Sequence, residues 1–587
     1  MIGAAGSTKL ALLASGAHHG SSALIAVPHI RYLAILPVIV LAGGAILLLA
    51  LGALRRRPFS VRLATMWTVA ISLGAFALAW WQWADLSVHG AYTAIDKALV
   101  VDGFSVFFSV LVTGAVVLFA LSSSSYLSRE GIDGVEIQVL AMLSASGAIL
   151  MAEANDLIII FLGLEILSIA LYVLTATNHR RAESGEAALK YFVLGGFSSA
   201  LFVYGIALTY GATGSTNLIQ IADYLARNVI VHDGLLLAGM SLLLVGFSFK
   251  VAVVPFHMWT PDVYQGAPSP ITGFMAAIAK AGGFAAFLRV FVSSFGVLSA
   301  DWRPIIYVLA IVTLLGGAGL AVVQRDIKRM LAYSSINHAG FVLLGLQAAT
   351  ARGVSSSLYY LFAYAFMVIG SFAVVSVVST KGDLGHDIVS YRGLSRRQPL
   401  LALCFALLLL AQAGIPFTTG FLTKLQVVVA AVDAGSVPLA VIAMVSAAIA
   451  AFFYLRVAVL MYSPDQQSVA VNRIAPALAG AGGPVLALHS GLEIGEERRA
   501  QLNAALVLEA QAPAHGGQGA ADEPVAHGEP DESNETDATG RPGIWTSQVP
   551  VTAAVAIAVC LGVTVVLGIF PAPLVDFAHK ATLLFLP

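Results

Sequence analysis

Apolar residues come in runs of about 18–25 along almost the whole chain, separated by short polar stretches. A helix needs a run of that length to cross a bilayer. The pattern predicts about fourteen spans, at roughly 32–54, 61–83, 103–124, 136–153, 157–177, 188–211, 234–257, 268–292, 304–324, 330–349, 354–379, 399–433, 436–462 and 549–570. The seventh contains "SLLLVGFSFKVAVVPFHMW", with Pro255 five residues after Lys250. The twelfth is too long for one straight crossing and has Pro416 in its middle. Proline inside a helix removes a backbone hydrogen bond and clashes with the preceding turn. Helices 7 and 12 are therefore expected to be broken, in an all-α polytopic membrane protein.

Two regions depart from the pattern. Residues 1–31 hold a lone Lys9 and a short apolar stretch, a poor signal peptide, and read as an N-terminal tail. Residues 463–548 include "HGGQGAADEPVAHGEPDESNETDATGRPG", rich in Gly, Pro, Asp and Glu. Such a segment cannot bury enough apolar surface to order itself, and a disordered loop is expected there.

"VAVVPFHMW" in span seven resembles "AQAGIPFTTG" in span twelve, aligning Pro255-Phe256 with Pro416-Phe417. The second copy lies five spans on, so the two copies run in opposite directions. That predicts inverted repeats with interrupted helices, a transporter design with sites near the midplane.

Composition narrows the function. The chain is 58% hydrophobic and 11% charged, where a soluble domain carries about a quarter charged residues. Net charge is −1, so no nucleic-acid partner is indicated. Cys404 and Cys560 lie far apart in apolar runs and form neither a metal spacing nor a disulfide framework. No Walker or Rossmann fingerprint and no cysteine cluster is present, so no cofactor or metal site is expected in this chain. Basic residues favour the loops after odd-numbered spans: Arg55, Arg56, Arg57, Arg180, Arg181, Arg325, Lys328, Arg329, Arg396 and Arg397. By the positive-inside rule both termini face the outer side, and the loop 463–548 faces the cytoplasm, which makes glycosylation at Asn534 unexpected. Trp80, Trp81 and Trp83 fit an aromatic belt at the outer interface.

Ionisable residues inside the spans carry the candidate chemistry. They are Glu165, Lys190, Lys250, Lys280, Arg289, Lys424 and Arg456. A charge at the bilayer centre costs at least ~2.5–3.5 kcal/mol. Arg289 and Arg456 lie near span ends, where snorkelling accounts for them. Lys190 is also near a span start, so snorkelling and function both stay open. Lys280 lies ~15 Å from either span end at ~1.5 Å per residue, beyond the ~6 Å reach of its stem. It must face a partner or a hydrated interior. Lys250 and Glu165 are similarly deep, and could form a purely structural pair. The functional reading is proton transfer, because desolvation and a nearby carboxylate pull a lysine's proton affinity in opposite directions. Lysine rather than arginine at every deep position favours titration over fixed charge. His338, beside Ser334, Ser335 and Asn337, is either a relay or a satisfied core histidine. His257 is a weaker candidate.

The stretch "FKVAVVPFHMWTPDVYQGAPSPITGFMAAIAKAGGFAAFLR" (249–289) closely resembles the signature region of subunit N of proton-pumping NADH–quinone oxidoreductase, respiratory complex I. "YSSINHAGFVLLG", "GIPFTTGFLTKLQVVVAAV" and "FFYLRVAVLMY" are similar to the same subunit. The resemblance implies an antiporter-like fold of fourteen helices. Three helices (32–124) would precede inverted five-helix repeats at 136–292 and 304–462, and 549–587 would supply the last helix and C-terminal tail. It also implies site roles. Glu165 would match the family's span-five glutamate, paired with Lys250. Lys190 would match a span-six lysine, Lys280 the central lysine of span eight, and Lys424 the terminal lysine of broken span twelve.

The implied function is proton translocation coupled to electron transfer from NADH to quinone. Flavin, iron–sulfur clusters and quinone are then expected in partner subunits. Those partners would be M-like and L-like antiporter subunits and the small A-, J- and K-type subunits, in an energy-transducing membrane, namely the bacterial plasma membrane. The long loop 463–548 and the N-terminal tail depart from the family's usual pattern. The alternatives are a component of a multi-subunit Na⁺/H⁺ antiporter and a structural spacer in a membrane arm.

Overall fold

The computed structural model describes residues 31–55, 59–228, 234–464 and 549–581. Most of the expected N-terminal tail, nearly all of the loop 463–548 with Asn534, and the basic residues Arg56 and Arg57 lie outside the described residues. The helices are α1 (Leu36–Leu54), α2 (Val61–His89), α3 (Gly103–Glu130), α4 (Glu136–Glu153), α5 (Leu157–Thr175), α6 (Ala182–Thr213) and α7 (Leu218–Arg227). They continue as α8 (Gly234–Lys250), α9 (Trp259–Gly266), α10 (Ser269–Leu288), α11 (Ser299–Val322), α12 (Ile327–Ala348) and α13 (Ala351–Val378). The series closes with α14 (Pro399–Ala413), α15 (Thr419–Asp433), α16 (Val437–Tyr462), α17 (Val551–Ile569) and α18 (Ala572–Lys580). A short antiparallel hairpin, β1 (Tyr92–Ala94) and β2 (Leu99–Val101), joins α2 to α3.

Among the described residues, 11 helices are long and apolar enough to cross a membrane. The chain is thus an all-helical, multi-pass membrane protein. The other three expected spans fall on different material. The seventh stops as a helix at Lys250. The tenth is α12, whose Lys328, Arg329, Ser334, Ser335, Asn337 and His338 dilute its apolar character. The twelfth is two helices, α14 and α15, separated at residues 414–418.

Local chemistry sets the helix ends. Asp102 and Ser105 form a capping box at the start of α3, which satisfies two otherwise orphaned donors. Asp156 caps α5 and Asp326 caps α12. Each cap adjoins the same device. Leu157 N donates to Thr216 O and Leu218 N to Asn155 O, both at 2.9 Å. Ile327 N likewise donates to His386 O at 2.8 Å and Ile388 N to Arg325 O at 2.7 Å.

Helix α10 occupies the middle of the bundle and is buried along its whole length. At one end of the bundle the fully buried Asp383 ties three helices together. It accepts from Lys328 Nζ at 3.0 Å, Arg181 Nη1 at 3.1 Å and Ser269 Oγ at 2.8 Å. Burial alone would raise its proton affinity, but the Lys328 ammonium and His386 hold the carboxyl well below the usual carboxylate range. At the opposite end Arg289 pairs with Asp102 at 2.9 Å.

Candidate functional site

The first break follows Lys250. Residues 251–258 leave helical conformation, Ala252 has a positive φ of 63°, and the Val254–Pro255 peptide is cis. A backbone break in the membrane persists only where the freed groups find partners. Two carbonyls at the end of α8 find them. Trp259 Nε1 donates to Phe249 O at 3.0 Å, and Lys280 Nζ, from α10, donates to Val251 O at 3.4 Å. On the other limb Val254 N donates to Thr313 Oγ1 of α11 at 3.1 Å. Trp259 also stacks on Tyr191, with centroids 4.5 Å apart and planes 8° from parallel. Helix α10 presses on the break closely: a Cβ at Gly283 would lie 2.7 Å from Val251 Cγ1 and 3.3 Å from Lys250 Cγ.

Lys250 is buried, donates to Ser168 Oγ at 2.7 Å, and lies 5.8 Å from the Tyr191 ring centroid. Glu165 is one turn back on the same helix as Ser168. It is only half-buried and accepts from the Ser199 hydroxyl. The expected direct Glu165–Lys250 ion pair is therefore not formed. Each group holds a serine hydroxyl instead, Glu165 on α6 and Lys250 on α5. Ser168, Ser199 and Lys250 line one small cavity between these helices and α8.

The second break is shorter. Gly414 ends α14 at φ 95°, Phe417 has φ 66°, and α15 begins at Thr419. Here the lysine lies after the proline and reaches back. Lys424 Nζ donates to Gln412 O at 2.9 Å and Ala413 O at 2.8 Å. A Cβ at residue 414 would come within 3.1 Å of Lys424 Cδ, so glycine there serves both the turn and the passage of the lysine stem. Pro416 and Phe417 themselves point out of the bundle and are exposed, as is Pro255 in the first break.

A buried polar line joins the breaks. Lys280 Nζ also donates to Ser335 O, and Tyr364 OH donates to Ser335 Oγ at 2.7 Å. The neighbouring Ser334 hydroxyl bonds Tyr454 OH. Tyr454 OH lies 3.2 Å from His338 Nε2 and 3.4 Å from Gln412 Oε1. His338 Nδ1 is 2.7 Å from Tyr360 OH. Gln412 closes the line, because its backbone carbonyl holds Lys424. The structure thus brings Lys280, His338 and Lys424 into one network, with Lys250 against α10 on its other side.

Lys190 is elsewhere. Its side chain is 43% exposed at the Asp383 end, bonded to Glu186 at 2.7 Å and Asp262 at 2.9 Å. Burial opposes ionisation of Asp262, but Lys190 and Arg329 together hold it below its usual range. Sequence reasoning missed Ser168, Ser199, Tyr360, Tyr364, Gln412 and Tyr454. Their signal was present as polar groups inside apolar runs, most plainly Gln412 in "LLLLAQAG" and the Tyr360–Tyr364 spacing of one helical turn.

Comparison with known proteins agrees with this architecture. A family model described as the transmembrane region of NADH:quinone oxidoreductase and Mrp antiporters matches residues 154–450. NADH-quinone oxidoreductase subunit N of Trichlorobacter lovleyi is 44% identical over 370 residues, covering 63% of this chain and 76% of that protein. Subunit N of Mycobacterium tuberculosis is 39% identical over 498 residues, covering 77% of this chain and 93% of that protein. Among solved structures, a chain of respiratory complex I from Thermus thermophilus with bound aureothin superposes with a TM-score of 0.66 at 27% identity, covering 92% of this chain and 99% of that one. A chain of the Mrp complex from a Dietzia species shares the fold, with a TM-score of 0.71 at 19% identity and coverage of 94% and 96%. The broken helices and the residues that satisfy them are thus set in a chain that belongs to the NADH-quinone oxidoreductase subunit N family of antiporter-like membrane proteins.

Proposed function

We propose that this chain translocates protons in the membrane arm of an NADH–quinone oxidoreductase, driven by electron transfer in partner subunits that hold flavin, iron–sulfur clusters and quinone. The observation that carries the reading is the buried line from Lys280 through Ser335, Ser334, Tyr454 and Gln412 to Lys424. Ser334, Tyr454 and His338 can both donate and accept, so they can pass a proton among themselves by rearrangement. Lys280 and Lys424 adjoin this set through the Ser335 and Gln412 carbonyls, which only accept, and would exchange a proton with it when their side chains move. A set of lysines kept only for packing would not need it.

Glu165 is the group through which a neighbour acts. It is half-exposed on the bundle surface, one turn from the serine that holds Lys250. A charge movement in an adjoining M-like, L-like or small A-, J- or K-type subunit would change Glu165 first. Lys250 would gain or lose its proton in response, and Lys280 would pass the change towards His338 and Lys424. Moving one charge against the membrane potential needs ~2.3 kcal/mol per 100 mV. An ion pair made and broken in a low-dielectric interior is on that scale.

The recurrent elements support inverted repeats. Helices α4–α10 and α11–α16 share one order, with broken helices at equivalent places and the same paired backbone bonds beside Asp156 and Asp326. In each copy an arginine of the last helix holds the end of the first: Arg289 donates to Ala152 O at 3.0 Å and Arg456 to Val322 O at 2.9 Å. These two contacts lie at opposite ends of the bundle, as inversion requires. The basic Asp383 end then faces the cytoplasm of a bacterial plasma membrane, with both termini outside.

The test uses the whole complex. Lys250→Ala and Glu165→Ala are expected to assemble but to lose most NADH-driven proton transport into membrane vesicles. Normal transport in both variants would sink the proposal. Co-isolation with flavin and iron–sulfur subunits supports the oxidoreductase. Sodium-dependent transport without them would instead support the antiporter, and a change confined to assembly would support a spacer.

A further inference from the structure

Glu153 is a buried carboxyl that the relay above does not use. It is the last residue of α4, only 2% exposed, and its Oε2 has no hydrogen-bond partner. Three elements close around it. From α10, Arg289 donates through Nη1 and Nη2 to Asp102 at 3.0 and 2.9 Å, and through Nε to Ala152 O. From α3 come Ser109, whose Oγ donates to Ser105 O at 3.0 Å and lies near Glu153, and the N-cap residue Asp102. The hairpin lies across the end of α4, where Leu99 bridges to Ala154 and Asn155 Nδ2 donates to Lys97 O at 2.8 Å. On that hairpin Tyr92 is within electrostatic reach of Glu153, Asp85 and Arg31.

Among the described residues no cation forms an ion pair with the Glu153 carboxyl. Arg289 is engaged in a bidentate fork by Asp102, whose Oδ1 also caps α3. A second, uncompensated carboxylate at this depth would cost several kcal/mol. A protonated Glu153 avoids that cost. The other repeat argues that Glu153 is not needed for packing. There Arg456 holds the end of α11 through Val322 O and Gln324 O, and among the described residues no carboxylate pairs with it.

Resting on the proton-translocation reading, we infer that Glu153 is a further proton-binding site of this chain, holding one exchangeable proton at the end of the bundle opposite Asp383. Arg289 follows Lys280 by nine residues on the same helix, about 13–14 Å at ~1.5 Å per residue. Its helix passes directly into a π-helical turn, Arg289–Ser294. A proton arriving at Lys280 brings a positive charge towards the cluster, and Arg289, opening its fork to share one nitrogen with Glu153 while the other stays on Asp102, stabilises the Glu153 carboxylate as its proton leaves. The proton would leave past Tyr92 towards the open cleft lined by Arg31, Asp96, Lys97, Asn217 and Asp223.

The experiment combines infrared spectroscopy of the assembled complex with vesicle transport. At neutral pH, Glu153→Gln is expected to remove one protonated-carboxyl C=O band. Asp102→Asn should remove the same band although Glu153 remains, because Arg289 then pairs with Glu153 and ionises it. NADH-driven proton transport should fall by about tenfold or more in Glu153→Gln, on the scale of a lost positioned proton carrier, with partial recovery in Glu153→Asp. An unchanged band in Glu153→Gln, or a band that persists in Asp102→Asn, overturns the inference. Lys250→Ala is measured in parallel. Transport lost there but intact in Glu153→Gln overturns the Glu153 site alone, and transport intact in both overturns the reading beneath it.

Discussion

The two broken helices solve one problem with different lysines. In both, the first half-helix ends in mid-bundle with its carbonyls pointing at the gap, and that end carries partial negative charge. At α14 the ammonium placed there is Lys424, from the second half of the same broken helix. At α8 it is Lys280, from the neighbouring α10, while Lys250 turns away to Ser168. The sequence shows lysine before proline in one copy and after it in the other, which looks like a failed match. In the structure the ammonium groups that bond carbonyls at the breaks are Lys280 and Lys424, whereas Lys250 bonds the Ser168 hydroxyl. The first break therefore has a second lysine, one turn from the half-buried carboxylate Glu165, and among the described residues the second break has no second lysine. That difference suits a chain in which one break receives the signal and the other passes on the proton.

The comparison can be broken by substitution, beginning with the largest expected effect. Lys424→Ala removes a proton carrier and also strands two carbonyls, each at ~1–3 kcal/mol. Transport should fall by about tenfold or more, with a measurable loss of thermal stability in the purified complex. Lys250→Ala should cut transport similarly but leave thermal stability closer to the parent, because no backbone group depends on it. Equal stability losses in the two variants would contradict the assignment of different roles.

Tyr454→Phe keeps the ring but removes the hydroxyl shared by Ser334, His338 and Gln412. A severalfold drop in transport is expected, larger than for Tyr360→Phe, which touches only His338 Nδ1. The reverse order would show that the line runs through Tyr360. Trp259→Phe removes one of two donors to Phe249 O, leaving the 3.1 Å bond from Ala252 N, and keeps much of the stack on Tyr191. It should destabilise the first break by ~0.5–1.5 kcal/mol, seen as faster hydrogen exchange around residues 249–259, with little change in transport. The smallest effect belongs to Lys190→Ala. Its ammonium is half-exposed and shared between two carboxylates, and exposed pairs contribute little. Transport should change by less than about twofold, although the family resemblance matches it to a span-six lysine with a functional role.

Much of this was legible in the sequence, for reasons of scale. An apolar run long enough to cross a bilayer reports its helix directly, and an ionisable residue inside it is conspicuous. Proline at 255 and 416 marked both breaks. What the sequence could not show was which distant groups close them. Lys280 stood out as a lysine deep in a span, but nothing in the sequence named Val251 O and Ser335 O as its partners. Nothing in the immediate neighbours of Trp259 and Tyr454 distinguishes them from packing residues. Glu165 and Lys250 lie within electrostatic reach of each other but make no direct ion pair, for a related reason. Depth along a helix is readable from position, but the direction of a side chain around its axis is set by tertiary contacts, here with Ser199 and Ser168.

Lys280 is where the two breaks meet, since it holds Val251 O on one side and Ser335 O on the other. The most direct measurement is NADH-driven proton transport by the assembled complex carrying Lys280→Ala, normalised to the amount of complex in the membrane. The account predicts a complex that assembles and transports almost no protons. Transport at the parental rate from a normally assembled complex would contradict it.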